Sequence, residues 1–118
     1  MSLLELARYL HASLATHAAV AGGVHIGQLF AANHISDLLC GAAADTLLVS
    51  ELANPHLLQV ALLLDAPGLC LASNVALPPG LVEAANEHGK VLLSSPFGLH
   101  ETCCRAISHG LACVELGR

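Results

Sequence analysis

Tryptophan is absent, and phenylalanine and tyrosine together make up only 3% of the chain. A core must therefore be packed from aliphatic side chains. Charge is scarce as well: 11% of residues are Asp, Glu, Lys or Arg, against 55% hydrophobic. This excludes intrinsic disorder, which needs low hydrophobicity and high charge. Only four side chains are cationic, Arg8, Lys90, Arg105 and Arg118, and the net charge is -5. Four scattered cations make no phosphate-tracking stripe, so nucleic acid is excluded as a partner. Residues 9–36 carry no formal charge, but His11, His17, His25 and His34 and three glycines interrupt them. No apolar run reaches the roughly 18 residues of a spanning helix, so no membrane partner is expected.

Other signatures are missing too. There is no Gly-x-Ser-x-Gly elbow, no Walker loop, no Gly-x-Gly-x-x-Gly string and no paired carboxylates. Neither enzymatic activity nor a cofactor is expected. The opening Met1-Ser2-Leu3-Leu4-Glu5 lacks the basic region of a signal peptide, which points to a cytoplasmic protein. Five cysteines, an odd number, are then reduced thiols by default. Eight histidines make the charge pH-sensitive: protonating all of them would move it from -5 to +3.

What is present is an alternation. The 118 residues fit one domain, 1–118, large enough to bury roughly two-thirds of its unfolded surface. Thr46–Ser50, Leu69–Ala72 and Lys90–Ser94 read as buried strands. Helices are predicted from Asn54-Pro55 to about Asp65, from Leu81 to about His88 and from Leu99 to Ser108. Asn54, Pro78 and Pro96 are start signals, and Gly89 and Gly110 are stops. Leu111–Leu116 suits a last short strand. Earlier in the chain, Ser2–Leu10 looks helical, Val24–Ala32 suits a strand, and Ile35–Cys40 opens a short helix. Continuously apolar strands each followed by a helix imply an α/β fold of three layers, a mostly parallel sheet with helices on both faces. A surface this poor in charge would expose apolar patches, and a homodimer is the simplest way to cover them.

The order of these elements resembles a DRTGG domain. The resemblance is carried by Ile35-Ser36-Asp37-Leu38-Leu39-Cys40, the strand Leu47-Leu48-Val49-Ser50, Asn54, and Val60 to Asp65. It continues through Val91-Leu92-Leu93-Ser94-Ser95-Pro96 to the helix opening His100-Glu101-Thr102, and covers about residues 24–113. The family includes a domain of CBS-type pyrophosphatases and is similar to the N-terminal domain of HPr kinase/phosphorylase. The eponymous Asp-Arg-Thr-Gly-Gly string is absent; Ser50-Glu51-Leu52-Ala53-Asn54 follows the strand instead, without the anion-binding Arg. The resemblance implies a non-catalytic regulatory or assembly module. It would bind a small phosphorylated ligand such as an adenine nucleotide.

Ligands of open parallel sheets bind beyond the carboxyl ends of the strands. Ser50, Glu51, Asn54, Ser73, Asn74, Ser94 and Ser95 fall there and are the candidate ligand-binding residues. The plainer reading makes them caps and turns. The densest chemical cluster is His100, Cys103, Cys104, His109 and Cys113, the basis of an alternative reading as a metal or redox protein. Cys103 and Cys104 are adjacent, so on a helix they diverge by about 100°. The plainer reading is of core or interface cysteines.

Overall fold

The computed structural model describes residues 1–17, 22–41 and 43–116; Arg118 lies outside the described residues. The three aliphatic runs at the centre of the chain are strands: β3 (Thr46–Ser50), β4 (Gly68–Leu71) and β5 (Val91–Ser94). All of β3 and β4 is buried, as continuous apolar character requires of strands covered on both faces. They pair in parallel, Leu48 opposite Leu69 and Leu69 opposite Leu92. Three more strands complete the sheet: β1 (Ser13–Leu14), β2 (Gln28–Ala31) and β6 (Ala112–Glu115). The order is β1-β5-β4-β3-β2-β6, parallel throughout except for β1, which runs antiparallel to β5.

Among the described residues five helices cover this sheet: α1 (Leu3–Tyr9), α2 (Ile35–Gly41), α3 (His56–Leu63), α4 (Pro79–Glu87) and α5 (Leu99–Ser108). Side chains alternate along each strand, so the sheet has two apolar faces. Leu29, Ala31, Leu47, Val49, Cys70 and Leu93 meet α1 and α5 through Leu3, Leu6, Leu99, Cys103 and Ala106. Phe30, Leu48, Leu69, Leu71 and Leu92 meet α2, α3 and α4 through Leu38, Leu57, Ala61, Leu81 and Ala85. Each fully buried leucine contributes about 2 kcal/mol by leaving water, and the paucity of aromatics is made good by their number. The three-layer α/β fold is as the alternation implied.

The ends of α3, α4 and α5 share one closure. The amides of Ala66, Lys90 and Leu111 donate to the carbonyls five residues back, Ala61, Ala85 and Ala106, at 2.9, 2.9 and 3.1 Å. The residue before each, Asp65, Gly89 or Gly110, is left-handed, with φ of 57°, 68° and 88°. This is the Schellman arrangement, which satisfies the last carbonyls of a helix and turns the chain into the next strand. It also explains why α3 stops at Leu63, short of the expected Asp65. Asp65 takes the position usually held by glycine, and Lys90 Nζ lies 3.3 Å from its carboxylate.

Two N-terminal expectations change. The strand expected at Val24–Ala32 starts only at Gln28. Ahead of it, the amide of Leu3 donates to Val24 O at 2.9 Å and that of Ile26 to Met1 O at 2.8 Å. Val24–Ile26 is thereby tied to the start of the chain rather than to the sheet. The amide of Gly27 goes to Asp45 O at 2.8 Å. The edge strand β1 has no counterpart in the sequence reading, because two residues carry no period.

Candidate functional site at the carboxyl edge of the sheet

Parallel pairing brings the residues after β2, β3, β4 and β5 to one edge of the sheet. Chain order also reverses there: β2 to β5 are laid down in one direction, and β6 returns to the far side of β2. Such a switch point opens a crevice beyond the strand ends. Glu51, the first residue past β3, is the centre of what lies there. Its Oε1 accepts from Asn33 Nδ2 at 3.0 Å, and its Oε2 accepts from the Ser73 hydroxyl. The Leu99 backbone, at the first residue of α5, also favours its ionised form. Asn33 closes the arrangement from the other side. Its Oδ1 accepts from the Glu51 amide at 2.8 Å and from Ser50 Oγ at 3.2 Å.

The Ser73 hydroxyl above all, then Asn33 and the Leu99 backbone, hold the Glu51 carboxyl below the usual carboxylate range, with partial burial opposing them. The amino end of α5 adds its dipole in the same sense. A helix terminus of this kind is an anion site, and here a carboxylate of the chain itself occupies it.

Backbone geometry places Ser73. Ser73 and Asn74 are successive left-handed residues, with φ of 59° and 53°. Their amides donate to Phe97 O at 2.6 Å and Ser95 O at 2.9 Å. The loop after β4 is thus held to the loop before α5, with the Ser73 hydroxyl turned to Glu51. Asparagine tolerates this conformation and serine does so at a cost of about 1 kcal/mol. Strain of this sort collects at binding sites, and here the loop-to-loop hydrogen bonds maintain it. Phe97 belongs to the same corner; the Arg105 guanidinium lies 3.8 Å over its ring, and His11 is tilted against it at 5.5 Å.

Of the candidate ligand-binding residues, Ser50, Glu51 and Ser73 come together. Ser50 is 2% exposed, its hydroxyl engaged with Asn33 and with the Leu52 amide. Asn74 is exposed beside Ser73. Three side chains point to other work. Asn54 accepts from the His56 amide at 2.9 Å in a local turn ahead of α3, whose N-cap is Pro55 rather than the expected Asn54. Ser95 is buried, accepting from the Phe97 amide at 3.3 Å and lying 3.5 Å from the Thr102 hydroxyl. Ser94 is half-buried opposite Ser13 of β1. Asn33 is the residue the sequence reading missed. The signal for it was its position just past a strand, the rule that found Glu51.

The five residues of the C-terminal cluster do not converge. Cys103 and Cys113 face each other between α5 and β6. The Cys113 contact and then burial push Cys103 up; Cys113 goes down because Cys103 donates to it. His100 and Cys104 contact one another on the outside of α5, while His109 stacks on Tyr9, rings 3.6 Å apart and 4° from parallel. This donor set does not fit a metal: among the described residues, no group of three or more His, Cys, Asp or Glu side chains could hold an ion.

A groove of about 300 Å³ runs between α2 and α3, lined by Ile35, Leu39, His56, Gln59, Val60 and Leu63. None of the candidate ligand-binding residues lines it. Apart from His56 and Gln59 its lining is aliphatic, and it lies on the outer layer, distinct from the polar cluster at the sheet edge.

No family model and no curated protein matches the chain. Among solved structures it is similar to the CBS and DRTGG domains of the regulatory region of Clostridium perfringens pyrophosphatase, complexed with activator, diadenosine tetraphosphate. The TM-score is 0.63 at 12% identity, over 86% of this chain and 44% of that one. The shared fold is that of the DRTGG domain. This DRTGG-like chain therefore spans less than half the length of its structural neighbour, and at this identity the likeness is one of fold. Among the described residues no helix is long and apolar enough to cross a membrane.

Proposed function

We propose that this chain is a non-catalytic regulatory or assembly module that acts in the cytoplasm as a homodimer. Its crevice at the carboxyl edge of the sheet takes an adenine nucleotide. One observation carries the reading: Glu51, Asn33, Ser73 and the amino end of α5 converge at the switch point of a DRTGG fold. The pyrophosphatase regulatory region that shares this fold was complexed with diadenosine tetraphosphate, which supports the ligand class.

The chemistry of the cluster orients such a ligand. A carboxylate accepts from hydroxyl groups, so Glu51 suits the ribose rather than a phosphate, which it would repel. Arg105, over Phe97 and paired with Glu101 at 3.0 Å, is a cationic group tied to this corner, and the phosphates belong on that side. Thermal unfolding with adenosine, ATP and diadenosine tetraphosphate at millimolar concentration tests the reading. A ligand at a hundred times its Kd adds about 2.7 kcal/mol of stability, and Glu51→Ala should abolish the shift. No shift with any of the three would remove the nucleotide.

For assembly, the support is the face made by α2 and α3. Leu39, Leu62 and Leu63 are exposed there at 40%, 37% and 74%. α3 carries no Asp, Glu, Lys or Arg, its His56 aside, and α2 only Asp37. An uncharged surface of this kind is suited to a second copy of itself.

A further inference from the structure

The nucleotide reading leaves one cluster of chemical groups unused, on the outer side of α5 where it meets β6. His100 in the first turn of α5 and Cys104 one turn later share a helix face. Glu115, at the end of β6, reaches the same spot. Glu115 Oε1 lies 2.8 Å from His100 Nδ1, and His100 Nε2 lies 3.5 Å from Cys104 Sγ. An ionised carboxylate only accepts, so Nδ1 is the protonated nitrogen and donates to Glu115. In the neutral form of the ring this leaves Nε2 with its lone pair towards sulfur. A carboxylate therefore orients an imidazole, and the imidazole faces a thiol as a base. Cys104 is open to solvent, and the His100 side chain is 72% exposed.

The other cysteines lack this setting. Cys70 is fully buried, and burial pushes its thiol up to about 12. Cys103 is 2% exposed and donates to Cys113, which is half-buried between α5 and β6 and faces that thiol rather than an imidazole. Cys40 is exposed on α2 but outside the reach of this pair. The remaining charged groups on the outer turns of α5 are Glu101 and Arg105, which bind each other at 3.0 Å.

We propose that Cys104 is a modification site, a thiol set by His100 and Glu115 to form mixed disulfides with low-molecular-weight disulfides. The thiol proton passes to His100 Nε2, and the sulfur attacks one sulfur of the incoming disulfide. A new sulfur–sulfur bond forms to Cys104 as the old one breaks, and the departing thiolate takes the electron pair and then the proton from His100. Cys104 is oxidised and the small disulfide is reduced to one thiol. Open solvent around the pair admits such a reagent.

The test uses the whole chain with oxidised glutathione at pH 7, the adduct being located by peptide mass over time. Cys104 should be modified first, ahead of Cys40 and Cys113. His100→Gln should slow Cys104 on the order of tenfold, below the hundredfold common in enclosed sites because this pair is wet. The rate at Cys40 should not change, which separates loss of the base from unfolding. Glu115→Gln should slow Cys104 by less and move the midpoint of its pH–rate profile. Equal rates at Cys104 and Cys40, or a His100→Gln variant as fast as the parent, would overturn the proposal. Neither outcome bears on the nucleotide reading.

Discussion

Glu51 does two jobs with one carboxylate: it holds Asn33 and Ser73 in place and it faces the amino end of α5. Its carboxyl is held below the ordinary value of 4.5. In the window between the folded and unfolded values the unfolded chain binds more protons, so stability there rises with pH. The Glu51 contribution is thus fully present above the usual carboxylate range and is lost as pH falls through the folded value. Denaturant unfolding should find Glu51→Gln less stable than the parent by about 1 kcal/mol at pH 7, with the gap narrowing towards pH 3. The Ser73 hydroxyl is the leading cause of the shift. Ser73→Ala should accordingly move the Glu51 midpoint, followed by carboxyl NMR, back towards the ordinary range, and an unmoved midpoint would contradict this assignment.

The elements draw their positions from close approach as much as from hydrophobic pattern. Gly68 opens β4 where a Cβ would lie 2.6 Å from the Val91 carbonyl oxygen, a backbone atom that cannot swing aside. Gly68→Ala should destabilise the chain by about 1–3 kcal/mol, read as a lower urea midpoint. Gly80→Ala meets nothing within 4 Å and serves as the control. The strands β3, β4 and β5 were legible in the sequence because each is an unbroken aliphatic run between turn residues. The helices α3, α4 and α5 were legible because prolines or glycines bracket them. Legibility fails where tertiary contacts override local pattern. The amides of Leu3 and Ile26 bind across to partners remote in sequence, which no window of neighbouring residues reveals. At the site, the strand-end rule located Glu51 and Ser73. It could not show that Asn54 and Ser95 spend their polar atoms on their own turns, since that depends on rotamers. Nor could it show that His100 meets Glu115 across fifteen residues.

At the scale of the molecule, the proposed function rests on two surfaces. The polar cluster around Glu51 lies at the carboxyl edge of the sheet, and the apolar groove lies across α2 and α3. If the groove is the homodimer face, a charge there opposes assembly without touching the core. Leu63 is 74% exposed, so Leu63→Asp should change stability by no more than about 0.5 kcal/mol. In sedimentation velocity the parent should run as a dimer and this variant as a monomer; a monomeric parent at high concentration would remove the homodimer.

The crevice itself is tested most directly by titrating diadenosine tetraphosphate into isotope-labelled protein and following backbone amide shifts. The account predicts saturable changes at Asn33, Glu51, Ser73 and Leu99, the residues around one carboxylate, with little change at Leu39 and Leu63. Shifts confined to the α2–α3 groove, or no saturable shift at all, would contradict it.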